Sequence, residues 1–220
     1  MKLPSLLLAV GLLAMACQTG PGGNPDGGDG GALFCNRTTE PQVTIDIPIG
    51  SSCAALTACG GSPAGVWHYA SVCMDNPFAP VAQACPSFTT TAASGTAQGC
   101  VDFSLGSSGE VYRDLNWSVS GTIHLPASCV PGSCAQAQTA LATYVPGATC
   151  SNATAGGCDC SVSASGTALG STDFTVAGNS LDVTNDTRTF DLCVSPGTSL
   201  SYRETTSSNP EPGNWTLAPN

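Results

Sequence analysis

Val111-Tyr112-Arg113-Asp114-Leu115-Asn116-Trp117-Ser118-Val119-Ser120-Gly121-Thr122-Ile123-His124-Leu125 is the stretch on which the fold turns. Its odd positions are Val, Arg, Leu, Trp, Val, Gly, Ile and Leu; its even positions are Tyr, Asp, Asn, Ser, Ser, Thr and His. Side chains along a strand point alternately to opposite faces, so this alternation buries one face and wets the other. The run is longer than an average strand, and Gly121 is the natural place for a bulge or bend. The same period recurs on either side. Val101, Phe103 and Leu105 alternate ahead of a Gly106-Ser107-Ser108-Gly109 turn, which predicts a hairpin. Phe174-Thr175-Val176 leads through Ala177–Ser180 to Leu181-Asp182-Val183, and Phe190–Val194 leads through Ser195–Ser199 to Leu200-Ser201-Tyr202. Two successive hairpins joined at Asn185-Asp186-Thr187 make a meander. Val43, Ile45, Ile47 and Ile49 form a further alternating run that Pro48 confines to an edge or an end.

One stretch favours helix. Ser133 is placed to cap Cys134–Tyr144, Ala135, Ala137, Ala140 and Leu141 supply propensity, and Pro146-Gly147 ends it. Roughly nine strands with short turns and one inserted helix exclude alternating βαβ architecture. The expectation is an all-β antiparallel meander, a β-barrel first and a β-sandwich as the alternative. A barrel also removes the exposed edges that invite aggregation.

Composition narrows the function classes. The 220 residues carry 5 Lys plus Arg against 15 Asp plus Glu, and Lys2 is the single lysine. Arg37, Arg113, Arg188 and Arg203 are too few to neutralise a run of phosphates, so nucleic acid is not an expected partner. A helical repeat would be rich in Ala, Glu, Lys, Leu and Arg, which this chain is not.

The N-terminus reads as an export address. Lys2 precedes an apolar stretch from Leu6 to Ala16 that is too short to span a bilayer. Ala14-Met15-Ala16-Cys17 resembles the bacterial lipobox, with Ala14 where that motif prefers Leu. The resemblance implies a signal peptide over residues 1–16 and a diacylated Cys17 as the mature N-terminus. Gln18–Gly31 has nine Gly or Pro in fourteen residues, a composition that stays solvated. Such a tether, over residues 17–34, would hold a domain about 20 Å from a membrane. Several acyl chains on one cysteine anchor firmly where a single chain is marginal. Gln18 is not the Asp that retains lipobox proteins at the inner membrane, which implies the outer membrane or cell surface of a Gram-negative bacterium.

With Cys17 assigned to lipid, Cys35, Cys53, Cys59, Cys73, Cys85, Cys100, Cys129, Cys134, Cys150, Cys158, Cys160 and Cys193 remain. An even set in an oxidising compartment predicts up to six disulfides within a single domain over residues 35–220, with pairings that spacing does not reveal. Each closed loop contributes roughly 2–4 kcal/mol, which compensates for a core with few aromatic side chains. A structural metal is disfavoured, because no Cys-x-x-Cys occurs and only His68 and His124 offer imidazoles.

Gly65-Val66-Trp67 opens the strand-like run Gly65–Cys73. With the two C-terminal hairpins, this resembles the lipocalin-like families of bacterial exported proteins over Gly65–Leu217. In those families a Gly-x-Trp begins the first strand of an eight-stranded barrel, and an arginine from the last strand packs across the Trp. The resemblance implies that Trp67 and Arg203 close one end. The chain departs from it in its cysteine density, its middle helix, and Thr189-Phe190-Asp191 where the family has Thr-Asp-Tyr.

Catalytic patterns are sparse. Serines are abundant, but no Gly-x-Ser-x-Gly elbow is present. His68 and His124 lie among polar neighbours, as solvated histidines do. No spacing singles out a glycosidase pair among the carboxylates. Asp182–Asp186 offers oxygens at alternate positions but lacks the glycine and terminal glutamate of an EF-hand loop. No glycine-rich loop joins a strand to a helix, so no nucleotide cofactor is implied. Two functions follow. One is an anchored binding domain for a small apolar ligand lined by Leu115, Trp117, Val119 and Ile123. The other is a structural or adhesion module of the cell surface with a filled core and no ligand.

Overall fold

The computed structural model describes residues 35–103, 108–184, 187–206 and 213–220. Residues 1–34, with Cys17 and the expected tether, lie outside these. So do Gly106 and Ser107 of the expected turn, and Asn185 and Asp186 of the expected joint and cation loop. The strands are β1 (Gln42–Asp46), β2 (Gly65–Cys73), β3 (Thr89–Phe103), β4 (Ser108–Leu125), β5 (Thr149–Asn152), β6 (Cys158–Ala177), β7 (Ser180–Val183), β8 (Arg188–Ser195), β9 (Ser199–Glu204) and β10 (Asn214–Pro219). A single α-helix among the described residues, α1 (Cys134–Leu141), sits between β4 and β5. None of the described helices is long and apolar enough to cross a membrane.

All ten strands belong to one sheet, in the order β4-β3-β1-β2-β10-β9-β8-β7-β6-β5, and β4 also pairs with β6 and β3 with β2. The β4–β6 ladder returns the pairing to its start. Hydrogen bonding therefore runs full circle through β2, β3, β4, β6, β7, β8, β9 and β10, each strand antiparallel to the next. The strands form one sheet and not the two of a sandwich.

Several local expectations change. β1 ends at Asp46, ahead of Ile47 and Pro48, and Ile49 is exposed. It lies where β2 and β3 diverge, antiparallel to β3 but parallel to β2, with Ile45 opposite Val72. A parallel neighbour needs a long crossover, and residues 47–64 supply it. Disulfides Cys53–Cys73 and Cys59–Cys193 pin that crossover to the sheet, and Gly60 bridges to Cys193. The bulge expected at Gly121 is instead in β3, where the register shifts between Thr90 and Ala92. Gly121 serves close packing, since a Cβ there would stand 2.7 Å from the Phe78 ring. Strand β6 is far longer than the Phe174–Val176 segment visible in sequence, because its middle alternates small Val162, Ala164, Gly166 and Ala168 with Ser and Thr.

The helix forms where its cap predicts. The Ser133 side chain accepts from the Gln136 N–H at 3.3 Å. The expected helix ran to Tyr144, and the chain leaves it after Leu141. Ala137 and Leu141 face the sheet, and Cys134–Cys158 staples α1 to β6. The remaining pairs are Cys35–Cys100, Cys85–Cys129 and Cys150–Cys160, so all twelve cysteines of the domain are joined.

Candidate functional site

The inward face of β4 carries the residues expected to line a ligand space. Leu115, Val119 and Ile123 are 1%, 2% and 0% accessible. These three side chains are packed against their neighbours in the core. Trp117 differs from them. It is half-buried, and its indole lies over Gly166 of β6, where a Cβ would come within 2.5 Å of the indole nitrogen.

Arg113 shares that face, and its guanidinium spans the interior. Its Nε donates to the Tyr69 hydroxyl at 2.8 Å and its Nη2 to the Tyr202 hydroxyl at 2.7 Å. The two phenol oxygens are 3.1 Å apart. The same cation stands 6.0 Å from the Tyr69 ring centre and 5.7 Å from that of Tyr202, where the ring quadrupole attracts it. Trp215 stacks on Tyr202 at 6.4 Å and meets Tyr69 edge-on at 5.5 Å. Strands β2, β4, β9 and β10 thus meet in one aromatic and cationic cluster. Its sequence signal was an arginine at an odd, inward position of Val111–Leu125, with Tyr69 and Tyr202 at inward positions of their own runs.

Trp67 and Arg203 are not brought together. Trp67 opens β2, is buried, and donates its indole N–H to the Pro63 carbonyl at 2.7 Å. Along β9, Leu200, Tyr202 and Glu204 point inward, so Arg203 points outward. There it donates to Asp75 at 2.6 Å and Asn214 at 3.0 Å. The other arginines are also engaged. Arg188 makes a two-pronged pair with buried Glu204 at 3.0 and 2.6 Å, and Arg37 approaches Asp114 at 3.5 Å.

The outer face holds a polar groove of about 210 Å³, lined by Thr122, Thr149, Cys150, Ser151, Asp159 and Ser161. His124 Nδ1 lies 2.8 Å from Asp159 Oδ1 at its margin. This couple resembles two members of a hydrolytic triad, in which a serine must stand at the far imidazole nitrogen. Register places Ser151 across Asp159 on the side away from His124, and no hydroxyl among the described residues is hydrogen-bonded to the His124 ring. The second histidine, His68, has a buried Nδ1 with no partner among the described residues. No three His, Cys, Asp or Glu side chains among the described residues gather as a metal site would need. At the other end of this face, burial raises the Asp102 carboxyl above its ordinary range. Burial and the nearby Asp114 carboxylate raise the Tyr112 phenol, against the opposing pull of Arg37.

No family model, curated protein or solved structure matches this chain. The functional reading therefore rests on the site's own chemistry.

Proposed function

We propose that this chain is an exported, lipid-anchored module of the bacterial cell envelope that acts through its outer surface as a structural or adhesion unit and carries no ligand inside. The observation that carries the reading is the interior itself. The guanidinium of Arg113 ties Tyr69 to Tyr202 across the ring, beside side chains with almost no water-accessible surface. The competing reading, a small apolar ligand held along Leu115, Trp117, Val119 and Ile123, needs room beside residues of which Leu115, Val119 and Ile123 have almost no accessible surface. The circular pairing of eight strands in sequence order, headed by Gly65-Val66-Trp67, supports an up-and-down barrel of lipocalin-like plan. Six disulfides suit an oxidising compartment outside the cytoplasm. Acylation of Cys17 and the glycine-rich tether would set the domain above an outer-membrane surface. The acidic balance keeps such a domain soluble there and disfavours nucleic acid.

Native mass spectrometry of the full chain, exported to an oxidising periplasm, tests this. The expected result is an acylated chain with no other bound small molecule, and tryptophan emission that does not respond to added fatty acids. Co-purification of an apolar compound that is lost on Leu115→Ala would overturn the reading.

A further inference from the structure

Strand β6 is paired with β4 from Cys158 to Thr175, and on its other side the strands that pair with it among the described residues lie at its two ends. β5 takes Cys158–Ser161 and β7 takes Phe174–Ala177. Among the described residues, no strand pairs with the second side of residues 162–168. An unpaired strand presents a row of backbone N–H and C=O groups, and natural proteins guard such edges with charge, proline or a covering element. Residues 162–168 read Val-Ser-Ala-Ser-Gly-Thr-Ala, without a charge or a proline, in a chain that carries a net −10.

We infer that this edge pairs with the same edge of a second copy of the chain, antiparallel about a two-fold axis at Ser165. The choice of partner comes from the sequence of the edge. Reversed about Ser165, Val162 meets Ala168, Ala164 meets Gly166, Ser163 meets Thr167, and Ser165 meets itself. Small apolar residues thus fall on small apolar residues on the inner face. Hydroxyls fall on hydroxyls on the outer face, where Ser163, Ser165 and Thr167 are exposed. Cross-strand Ser/Thr pairs are favourable, whereas like charges directly opposite are not, and residues 162–168 contain no charge. A two-fold contact needs a surface that complements itself, which this strand is. Trp117 adds a second observation. Its half-exposed indole reaches from β4 over Gly166 toward the open side, and Ala164 of the second copy would cover it.

Sedimentation velocity of the full, oxidised chain over a range of concentrations tests the inference. The expected result is a reversible dimer whose formation shifts tryptophan emission to the blue, since Trp67 and Trp215 are already 5% and 0% accessible and Trp117 is the one left to respond. Ser165→Lys sets two like charges face to face and should weaken association roughly tenfold or more. Ser118→Lys, on the outer face of β4 between two paired strands, should leave it unchanged. Ser165→Cys should give a dimer on a non-reducing gel, and this variant decides the matter if Ser165→Lys does not fold. A chain that stays monomeric at every concentration, equal effects of the two lysine variants, or no cross-link through position 165 would each overturn the inference.

Discussion

At one end of the sheet, β2 and β7–β10 close with the tips of β3, β4 and β6 around Tyr69, Phe174, Phe190, Tyr202 and Trp215. At the other end, the opposite tips of β3, β4 and β6 join β5 and α1 around Phe78, Val81, Ile123, Leu141, Cys158 and Cys160. Each end has three disulfides, but they do different things. In the ring, Cys35–Cys100, Cys53–Cys73 and Cys59–Cys193 fasten the segments before β2 onto a sheet that large side chains already fill. In the arm, Cys85–Cys129, Cys134–Cys158 and Cys150–Cys160 hold the elements to one another, with Phe78 as the aromatic side chain fully buried there. Packing stabilises the first region and covalent closure the second. A shell short of apolar volume can substitute cross-links for contacts where its side chains are small.

The largest expected effect lies in the ring. Trp215→Ala removes a side chain with no accessible surface and should cost about 3–5 kcal/mol, read from guanidinium unfolding with the disulfides intact. A loss below about 1 kcal/mol would mean that the ring, too, depends on its cross-links. Next in size, replacing Cys150 and Cys160 by serine opens the cross-strand staple between β5 and β6 and should cost roughly 2–4 kcal/mol. Hydrogen exchange should then show α1 and β5 unprotected while β9 and β10 keep their protection. Equal loss at both ends would erase the distinction between them. The smallest effect concerns Asp102, on the outer face of β3 opposite Tyr112. Burial favours its neutral form, so the folded state binds this proton more tightly than the unfolded chain does. Its ionised form is therefore a burden at neutral pH that acidification relieves. Asp102→Asn should raise stability slightly near pH 7, with the gain fading as the pH falls through the carboxylate range. A gain that persists in acid would assign the effect to packing instead of charge.

The ring was legible in the sequence wherever large residues marked the period. Val111–Leu125, Phe174–Val183 and Phe190–Tyr202 announce their strands through bulky inward positions, and Ser133 announces the helix. The middle of β6 does not, because Ala164, Gly166 and Ala168 give alternation without hydrophobic contrast. The parallel docking of β1 on β2 depends on where residues 47–64 travel, which no local pattern encodes. The Arg113 cluster was half visible: its inward position could be read, but its partners Tyr69 and Tyr202 lie 44 and 89 residues away. Arg203 was matched to Trp67 by its place in the chain alone. The period of β9 sends it to the opposite face from Tyr202, and one residue of register decides the matter.

Cys59 is joined to Cys193, 134 residues further along. Wherever oxidation begins before the whole chain has arrived, Cys59 meets Cys53, Cys73, Cys85 and Cys100 before it can meet Cys193. The ring cannot shut until β10, the last of the ten described strands in chain order, reaches β2. Maturation of this chain therefore calls for thiol exchange to undo premature pairings, and a disulfide isomerase is the kind of helper on which its yield should depend.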